Sequence, residues 1–322
     1  MREPTQNRPA GDVRLPPGTM IDSKGCIRLS KADRKASFSL LMFCAPALLF
    51  YFVFMFYPLI SAFYYSTTNW NGLFRTYDMV GFKNYIEAFT KDTRFHYSLL
   101  YTFRYVVAIV TLQNILALLI ALLVESRKRS RGLFRTVFFM PNILSMYIGS
   151  LMWLFIFTRI LPQIADRTIL TFLDQSWLGD RNTAFFSILL VSLWHGTGYL
   201  MIIYIAALQG VPAELQEAAR IDGANTFQCF TRVVMPLLMP AITVCLFLTL
   251  NSSFKIFDSV VALTKGGPGY ATEVVALNIY YEGFRDNMRF GYATAKSIIL
   301  FFIILVITVV QVTITKRMEV EM

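Results

Sequence analysis

The chain has 322 residues, of which 56% are apolar and 15% aromatic. Soluble domains are about 45–50% apolar, and here the excess gathers into long blocks. The composition therefore excludes an ordinary soluble domain and indicates a polytopic membrane protein in a lipid bilayer. The formal net charge of +10 does not indicate nucleic-acid binding. The basic residues cluster beside the apolar blocks, where they set orientation and meet anionic headgroups.

In chain order, residues 1–36 are rich in Pro, Gly, Lys and Arg without apolar periodicity, and they predict a mostly disordered tail. Residues 37–316 are predicted to form a transmembrane domain, and residues 317–322 a short second tail. A hydrocarbon core of about 30 Å requires roughly 20 apolar residues per helix. Six blocks meet this length, at about 38–63, 105–124, 136–157, 185–208, 234–257 and 293–315. The predicted fold class is therefore all-α, with six transmembrane helices.

The basic residues also predict an orientation. Seventeen of the 30 lie in the two tails, in the loop after the second span and in residues 209–233. The positive-inside rule places such loops in the cytoplasm. The expected topology is therefore N-in and C-in, with residues 209–233 cytoplasmic.

The segment Gln209–Val233 is a polar island between two apolar blocks. Pro212 suits a first helical position, because its missing N–H costs nothing there. Glu217 follows within the early turns, which favour carboxylates, and Gly223 supplies a left-handed cap. These signals predict a helix over residues 212–222, roughly 16 Å long. Such a helix is too short and too polar to cross the bilayer, so it is expected to lie beside it.

The sequence EAARIDGANTFQCFTRVVMP, residues 217–236, resembles the EAA signature of binding-protein-dependent ABC transporter permeases. Val233 and Met235 replace the usual Ile and Leu of that signature. In the family this segment is a cytoplasmic coupling helix that docks into a cleft of the ATPase subunit. The resemblance implies that the coupling contact is made by Glu217, Ala218, Ala219, Arg220, Asp222 and Gly223. The alternative is an ordinary interfacial helix that joins two spans.

Two further stretches resemble the sugar class of these permeases. One is ALTKGGPGYATE, residues 262–273, and the other is the approach to the sixth span, where Phe284, Phe290, Gly291, Ala293 and Ala295 match. Together they point to the maltose-permease-like family, whose members import oligosaccharides, disaccharides or glycerol 3-phosphate across a bacterial or archaeal cytoplasmic membrane. The resemblance implies a type I ABC importer permease fold. The implied partners are a second homologous permease, two copies of an ATPase and an extracytoplasmic solute-binding protein.

The sequence contains no G-x-x-x-x-G-K-[ST] motif, so the loop that cradles nucleotide phosphates is absent. The chain is accordingly expected to be a transport subunit and not an enzyme. It is expected to bind no cofactor itself, and ATP and magnesium are expected on the partner ATPase. By similarity to the maltose permease, a solute path is predicted along Gly196, Tyr199, Thr249, Asn251, Ser252 and Ser253. The alternative is that these small polar residues only pack helices together.

A stand-alone ion-coupled secondary transporter is the alternative function. His195 within the fourth span could relay protons in such a protein, although a packed or cavity-facing side chain is the favoured interpretation. Neither a clear internal repeat nor an Asp or Glu at mid-span supports this class. Lys255 and Asp258 are three residues apart, and on one helical face they could form an ion pair.

Overall fold

The structure is a computed structural model that describes residues 20–21, 27–28, 31–127 and 129–319. Strands β1 (Met20–Ile21) and β2 (Ile27–Arg28) form a short antiparallel pair. Most of the predicted tail of residues 1–36 lies outside the described residues, and so do the last three residues of the predicted 317–322 tail. From Lys31 onward the described chain consists of helices and the loops that connect them.

Residues 1–61 and 62–322 form two separate units. Helix α1 (Lys31–Tyr51) continues through a π-helical turn at Phe52–Phe56 into α2 (Tyr57–Ser66). Pro58 explains the turn, since it has no N–H to donate and its ring disfavours the regular ladder. The residue before it, Tyr57, donates its N–H to the Phe52 carbonyl instead. The apolar span runs over Met42–Ser66, close to the predicted first span.

Helix α3 (Lys83–Thr90) leads into α4 (Thr93–Ser126), which is capped by the Asp92 side chain accepting from the Phe95 N–H. The sequence predicted a span of residues 105–124 here, and the helix begins 12 residues earlier. Its 34 residues extend roughly 51 Å at 1.5 Å per residue. Helix α4 is therefore long enough to cross a bilayer and to project beyond it.

The predicted third span is not one helix. The structure places α5 at Arg131–Ile143 and α6 at Met146–Phe155, followed by a π-helical turn and α7 (Leu161–Arg167). The prediction of a continuous helix over 136–157 was wrong because the backbone becomes extended at Leu144. The Leu144 carbonyl left by this break accepts a hydrogen bond from His195 Nε2, at 3.0 Å.

Helix α8 (Arg181–Gln209) is the fourth span, capped by Asp180. After it come α9 (Ala213–Ile221), α10 (Thr226–Cys229), a π-helical turn, α11 (Met235–Leu237) and α12 (Met239–Phe254). The chain bends by 68° between Thr226–Leu237 and Met239–Phe254. The single helix predicted over 234–257 was therefore wrong. Pro240 lacks the N–H that would bond the carbonyl four residues earlier, and such prolines break or kink a helix.

The chain ends with α13 (Asp258–Leu263), α14 (Val275–Tyr280), a π-helical turn and α15 (Phe290–Lys316). Lys255 lies in the break between α12 and α13. Lys255 and Asp258 consequently do not share a helical face, and the ion pair suggested for them does not occur between these described side chains. In the described chain five helices are long and apolar enough to span a membrane, and the bent pair around Leu238 brings the number to six.

The core of the second unit lies where α4 packs against α8 and α12. One buried cluster contains Ala117 and Ala121 of α4, Met201 and Tyr204 of α8, and Cys245 of α12. A second, larger cluster joins the same helices to α13, α14 and α15. The packing of α4, α8 and α12 therefore positions the residues described next.

Candidate functional site

The predicted coupling segment forms a short, sharply ended helix. Pro212 is the residue before the first helical turn and not part of it, because its backbone is extended, so α9 begins at Ala213. The predicted left-handed cap is confirmed, since Gly223 has φ +85°. The Ala224 N–H donates to the Ala219 carbonyl at 2.9 Å and closes the helix end. A Cβ at Gly223 would meet no atom within 4 Å, so the backbone angle and not space favours glycine.

Helix α9 buries no residue. Of the predicted coupling residues Ala219 is partly buried, and Glu217, Ala218, Arg220, Asp222 and Gly223 are exposed. Apolar side chains are exposed beside them, with Ile221 at 85% and Phe227 at 74%. Neither Glu217 nor Arg220 forms an ion pair with another described residue. This surface can accept a partner, and the coupling role of its residues stays a prediction.

Helix α10, which directly follows the coupling helix, was not predicted from the sequence. Asn225 accepts from the Gln228 N–H while the Gln228 side chain accepts from the Asn225 N–H, a reciprocal capping box. Cys229 and Val234 are buried and attach this segment to the rest of the unit. The Asn-x-x-Gln spacing was the available signal. Helix α9 is thereby joined through a capped helix to the bent fifth span.

A cavity of about 310 Å³ lies between α4, α8 and the chain around the end of α12. Helix α4 contributes Tyr105, Ile109 and Gln113, which are four residues apart and lie along one ridge. Helix α8 contributes Ser192, His195 and Gly196, and the remaining wall is formed by Met146 of α6 and residues 252–253 and 255–259. The walls combine apolar and hydroxyl-bearing side chains with the charged side chains of Lys255 and Asp258, and a mainly apolar pocket with a few polar groups is typical of small-molecule sites.

The structure brings three of the six predicted path residues together in this cavity: Gly196, Ser252 and Ser253. Thr249 is buried below it, where its hydroxyl accepts a hydrogen bond from Asn114 at 3.2 Å. Asn251 faces a different pocket, between α12 and α15. Tyr199 is exposed on α8 and does not line the cavity. The solute contacts of all six residues stay predictions.

Several polar groups reach this cavity that the sequence analysis did not select. Gln113 stands against Gly196, where a Cβ would collide with its amide nitrogen. The hydroxyl of Ser259 is buried without a hydrogen-bond partner in the described chain. His195 lines the cavity and also bonds the Leu144 carbonyl, which agrees with the cavity-facing interpretation. The i, i+4 spacing of residues 105, 109 and 113 was the signal in the sequence.

A second pocket, of about 510 Å³, lies along the same two helices nearer their N-terminal ends. Tyr97, Tyr101 and Arg104 of α4 line it together with Arg181 and Phe185 of α8. The Arg104 guanidinium lies over the Phe185 ring, 4.6 Å from its centroid. Aromatic faces and guanidinium groups are suited to polar, ring-shaped ligands. The α4–α8 seam therefore carries two pockets along its length.

Comparison with known proteins identifies the family. Residues 113–320 match the model of the binding-protein-dependent transport system inner membrane component. The chain belongs to this family. The permease is 40% identical over 281 residues to the probable starch degradation products transport system permease protein AmyD of Thermoanaerobacterium thermosulfurigenes, covering 87% of this chain and 95% of that protein. It is 35% identical over 268 residues to the multiple sugar-binding transport system permease protein MsmF of Streptococcus mutans, covering 83% and 92%.

The permease is also 31% identical over 272 residues to the sn-glycerol-3-phosphate transport system permease protein UgpA of Agrobacterium fabrum, covering 83% of this chain and 91% of that protein. A solved bacterial ABC transporter involved in import of the acidic polysaccharide alginate superposes with a TM-score of 0.77 at 20% identity, over 89% and 98% of the two chains. That likeness shows the fold. The predicted all-α, multi-pass fold and the non-enzymatic transport role are confirmed. An ion-coupled transporter has no support among these relatives.

The permease also contains an ionic cluster that the sequence did not reveal. Lys296, at the start of the sixth span, has no exposed surface. Its ammonium lies 2.7 Å from an Asp92 carboxylate oxygen and 3.1 Å from Glu282, and it donates to Asn278 at 3.0 Å. Burial raises the pKa of the Asp92 carboxyl, but the hydrogen bonds from Lys296 and from the Phe95 N–H lower it by more. The pKa of Asp92 is therefore below its ordinary value. The cluster ties the start of α15 to the start of α4.

The glycine-rich loop of residues 262–273 is held to this cluster through Glu273. The Thr272 hydroxyl donates to the Gly267 carbonyl at 2.7 Å and closes the loop. Glu273 is buried, and it accepts from Arg94 Nη2 at 2.7 Å and from Asn278 at 2.7 Å. Arg94 lies 179 residues from Glu273 in the sequence, so no local pattern predicts the Arg94–Glu273 ion pair. The loop is therefore a structural turn tied to α4.

Proposed function

We propose that this permease moves a sugar or a related solute, such as an oligosaccharide, a disaccharide or glycerol 3-phosphate, across the cytoplasmic membrane. The observation that carries the proposal is the cavity between α4, α8 and α12, which Gly196, Ser252 and Ser253 line. Sugar binding requires hydroxyl and amide partners within apolar walls, and this cavity offers both. The transport systems named for the relatives carry starch degradation products, multiple sugars and glycerol 3-phosphate.

The proposed mechanism is alternating access driven by partner subunits. The family depends on a solute-binding protein, and a solved structure of an alginate transporter includes the periplasmic protein bound to an alginate pentasaccharide. In our proposal this chain pairs with a second homologous permease and two ATPase copies, which hold ATP and magnesium. The chain itself binds no cofactor. Closure of the ATPase dimer moves α9, and the spans rock open toward the loaded binding protein.

The solute cavity is tested by a filling substitution. Ser253→Leu places an apolar side chain in the cavity, so uptake of labelled solute into vesicles containing the whole importer should fall by at least about tenfold, as expected from a lost polar partner and a blocked site. Thr136→Leu on α5 is the control for an added apolar side chain, since Thr136 is exposed and lines neither this cavity nor the pocket that Asn251 faces. Complex assembly should be normal in both variants. Equal uptake by the two variants would move the solute path elsewhere.

The coupling surface is tested by charge reversal at Glu217. Loss of one partner of a buried interfacial charge pair costs about 2–5 kcal/mol, so Glu217→Lys should weaken retention of the ATPase and uncouple hydrolysis from uptake. Gly223→Asp should act similarly, because a left-handed Cβ costs about 1–2 kcal/mol. Asp166→Lys, at an exposed acid of α7, is the control. Co-purification of the ATPase at the wild-type level with Glu217→Lys would contradict the assignment.

A further inference from the structure

A narrow groove of about 370 Å³ lies between the C-terminal end of α4 and helix α5. We call it the α4–α5 groove. Ile120, Leu123 and Val124 of α4 form one wall, Phe134 and Phe138 of α5 form the other, and Arg127 and Ser130 line the groove from the connection between the two helices. The two polar residues, Arg127 and Ser130, lie together at one end. All the other lining residues are apolar, so the groove has a polar mouth and an apolar interior.

The dimensions of the α4–α5 groove match the inner part of a bilayer leaflet. Seven residues separate Ile120 from Arg127, which is roughly 10 Å along α4, and eight separate Ser130 from Phe138, roughly 12 Å along α5. Arg127 directly follows α4, which ends at Ser126, and Ser130 precedes α5. Helix α4 is one of the helices long and apolar enough to span a membrane, so the mouth lies at the end of a candidate span and the apolar walls extend from it along that span.

The charge around the mouth is strongly positive. Arg127, Arg129, Arg131 and Arg135 follow within ten residues of a single carboxylate, Glu125, which pairs with Arg131 at 2.7 Å and with Arg135 at 3.6 Å. Neither Arg127 nor Arg129 forms an ion pair in the part of the chain that the structure describes. The Nε atoms of Arg131 and Arg135 are buried without a hydrogen-bond partner there. One carboxylate thus leaves an excess of guanidinium donors beside an apolar groove.

We propose that the α4–α5 groove binds an anionic phospholipid of the membrane. The phosphate-bearing headgroup lies against Arg127 and the Ser130 hydroxyl, and an acyl chain lies along Leu123, Phe134 and Phe138. Guanidinium groups are well suited to phosphate oxygens, and basic residues beside a membrane helix recognise acidic headgroups. The apolar walls continue along α4, a candidate membrane span, where an acyl chain is a more abundant neighbour than a protein surface. The site is separate from the solute cavity and does not depend on which solute is carried.

The test measures the lipid that the full-length permease holds. The chain is reconstituted in nanodiscs of phosphatidylcholine with a minor fraction of phosphatidylglycerol, then re-extracted in mild detergent, and the retained phospholipids are quantified by mass spectrometry. We expect wild type to enrich phosphatidylglycerol over phosphatidylcholine. Arg127→Gln should reduce this enrichment about fivefold, which corresponds to about 1 kcal/mol for one basic residue near an acidic surface. Arg127→Lys should retain most of it.

Two further variants test the apolar wall and the specificity of the charge. Leu123 is 67% exposed on the groove wall, so Leu123→Trp should obstruct the acyl chain and lower enrichment without disturbing the core. Arg317→Gln, at the end of α15, is the matched control for loss of one charge and should leave enrichment unchanged. Equal enrichment in Arg127→Gln and Arg317→Gln would overturn the proposal. It would also be overturned if wild type showed no enrichment while Arg127→Gln reduced ATPase co-purification, because the groove would then belong to a protein partner.

Discussion

At the residue scale, Lys296 shows how this membrane protein accommodates a buried charge. Removing an ion from water costs several kcal/mol unless partners compensate it. Lys296 has two carboxylates, Asp92 and Glu282, within 3.1 Å and the Asn278 amide oxygen at 3.0 Å. The Tyr292 hydroxyl donates a further bond to Asp92 at 2.9 Å. The ammonium is thus fully paired, and the cluster fixes the register of α15 against α4.

Removing this ammonium should be strongly destabilising. Lys296→Met leaves Asp92 and Glu282 facing each other without a counter-ion, and breaking a buried pair costs about 3–5 kcal/mol. The thermal midpoint of the purified permease in detergent should fall accordingly. Lys316→Met, at the exposed end of the same helix, is the control and should change little. Similar midpoints for the two variants would show that the cluster does not hold α15 in place.

The same cluster predicts a pH dependence through Asp92. Its pKa is lowered in the folded chain, so its carboxylate contributes stability above the ordinary value of 3.8, and this contribution is lost as pH falls through the lower folded pKa. Asp92→Asn should therefore be less stable than wild type at neutral pH, and the gap in thermal midpoint should narrow below about pH 4. Asp166→Asn, at an exposed acid, should show no such convergence. A gap independent of pH would contradict the prediction.

At the scale of elements, α5 and α8 pack so closely that Gly198 is required. A Cβ there would collide with the Phe138 carbonyl on α5. Overpacking costs about 1–3 kcal/mol, so Gly198→Ala should lower the thermal midpoint and the yield of folded permease. Gly132→Ala on α5 is the matched control, because a Cβ there meets nothing within 4 Å. Alanine is the better helix former, so that variant should be neutral or stabilising, and a comparable loss in both would contradict the close packing.

Helix bounds illustrate what the sequence can and cannot predict. Apolar length located each span, because the bilayer fixes the number of residues required. The breaks at Leu144 and Leu238 were missed, although Pro141 and Pro240 stand nearby. A carbonyl left without its helical partner at a break is tolerated in a membrane helix when a neighbour bonds it. For the Leu144 carbonyl that neighbour is His195, 51 residues away, and such a contact is set by tertiary packing and not by local sequence.

The candidate site shows the same limit. The coupling helix was readable because its signals are local: an acid in the early turns, and Gly223 in the left-handed region at the end. Only three of the six predicted path residues line the cavity, because the cavity depends on which faces of α4, α8 and α12 meet. Asn251 and Ser253 are two residues apart on α12, yet they line different pockets. Both side chains are small and polar, so the sequence does not distinguish them. Only the packing of α15 beside α12 determines that Asn251 lines a different pocket from Ser253.

At the scale of the whole molecule, orientation can be tested with two introduced cysteines. In a chain whose four native cysteines are replaced, Ile169→Cys lies in the loop before α8 and Thr226→Cys in the segment after it. Both positions are exposed, Ile169 at 95%. Gly266, in the glycine-rich loop after α13, is a less suitable position for an introduced cysteine, because it is buried and its φ is +85°. An impermeant maleimide added to intact cells should label Ile169→Cys but should label Thr226→Cys only after the membrane is opened.

The physical reason for this outcome is the distribution of positive charge. Basic residues near the ends of spans resist translocation, and the arginines of residues 127–135 and Arg220 and Arg232 lie on the side assigned to the cytoplasm. The 29-residue helix α8 separates the two labelled positions. Labelling of both from outside would therefore mean that α8 does not cross the bilayer. Exchange of the two patterns would instead invert the orientation and place α9 out of reach of any cytoplasmic ATPase.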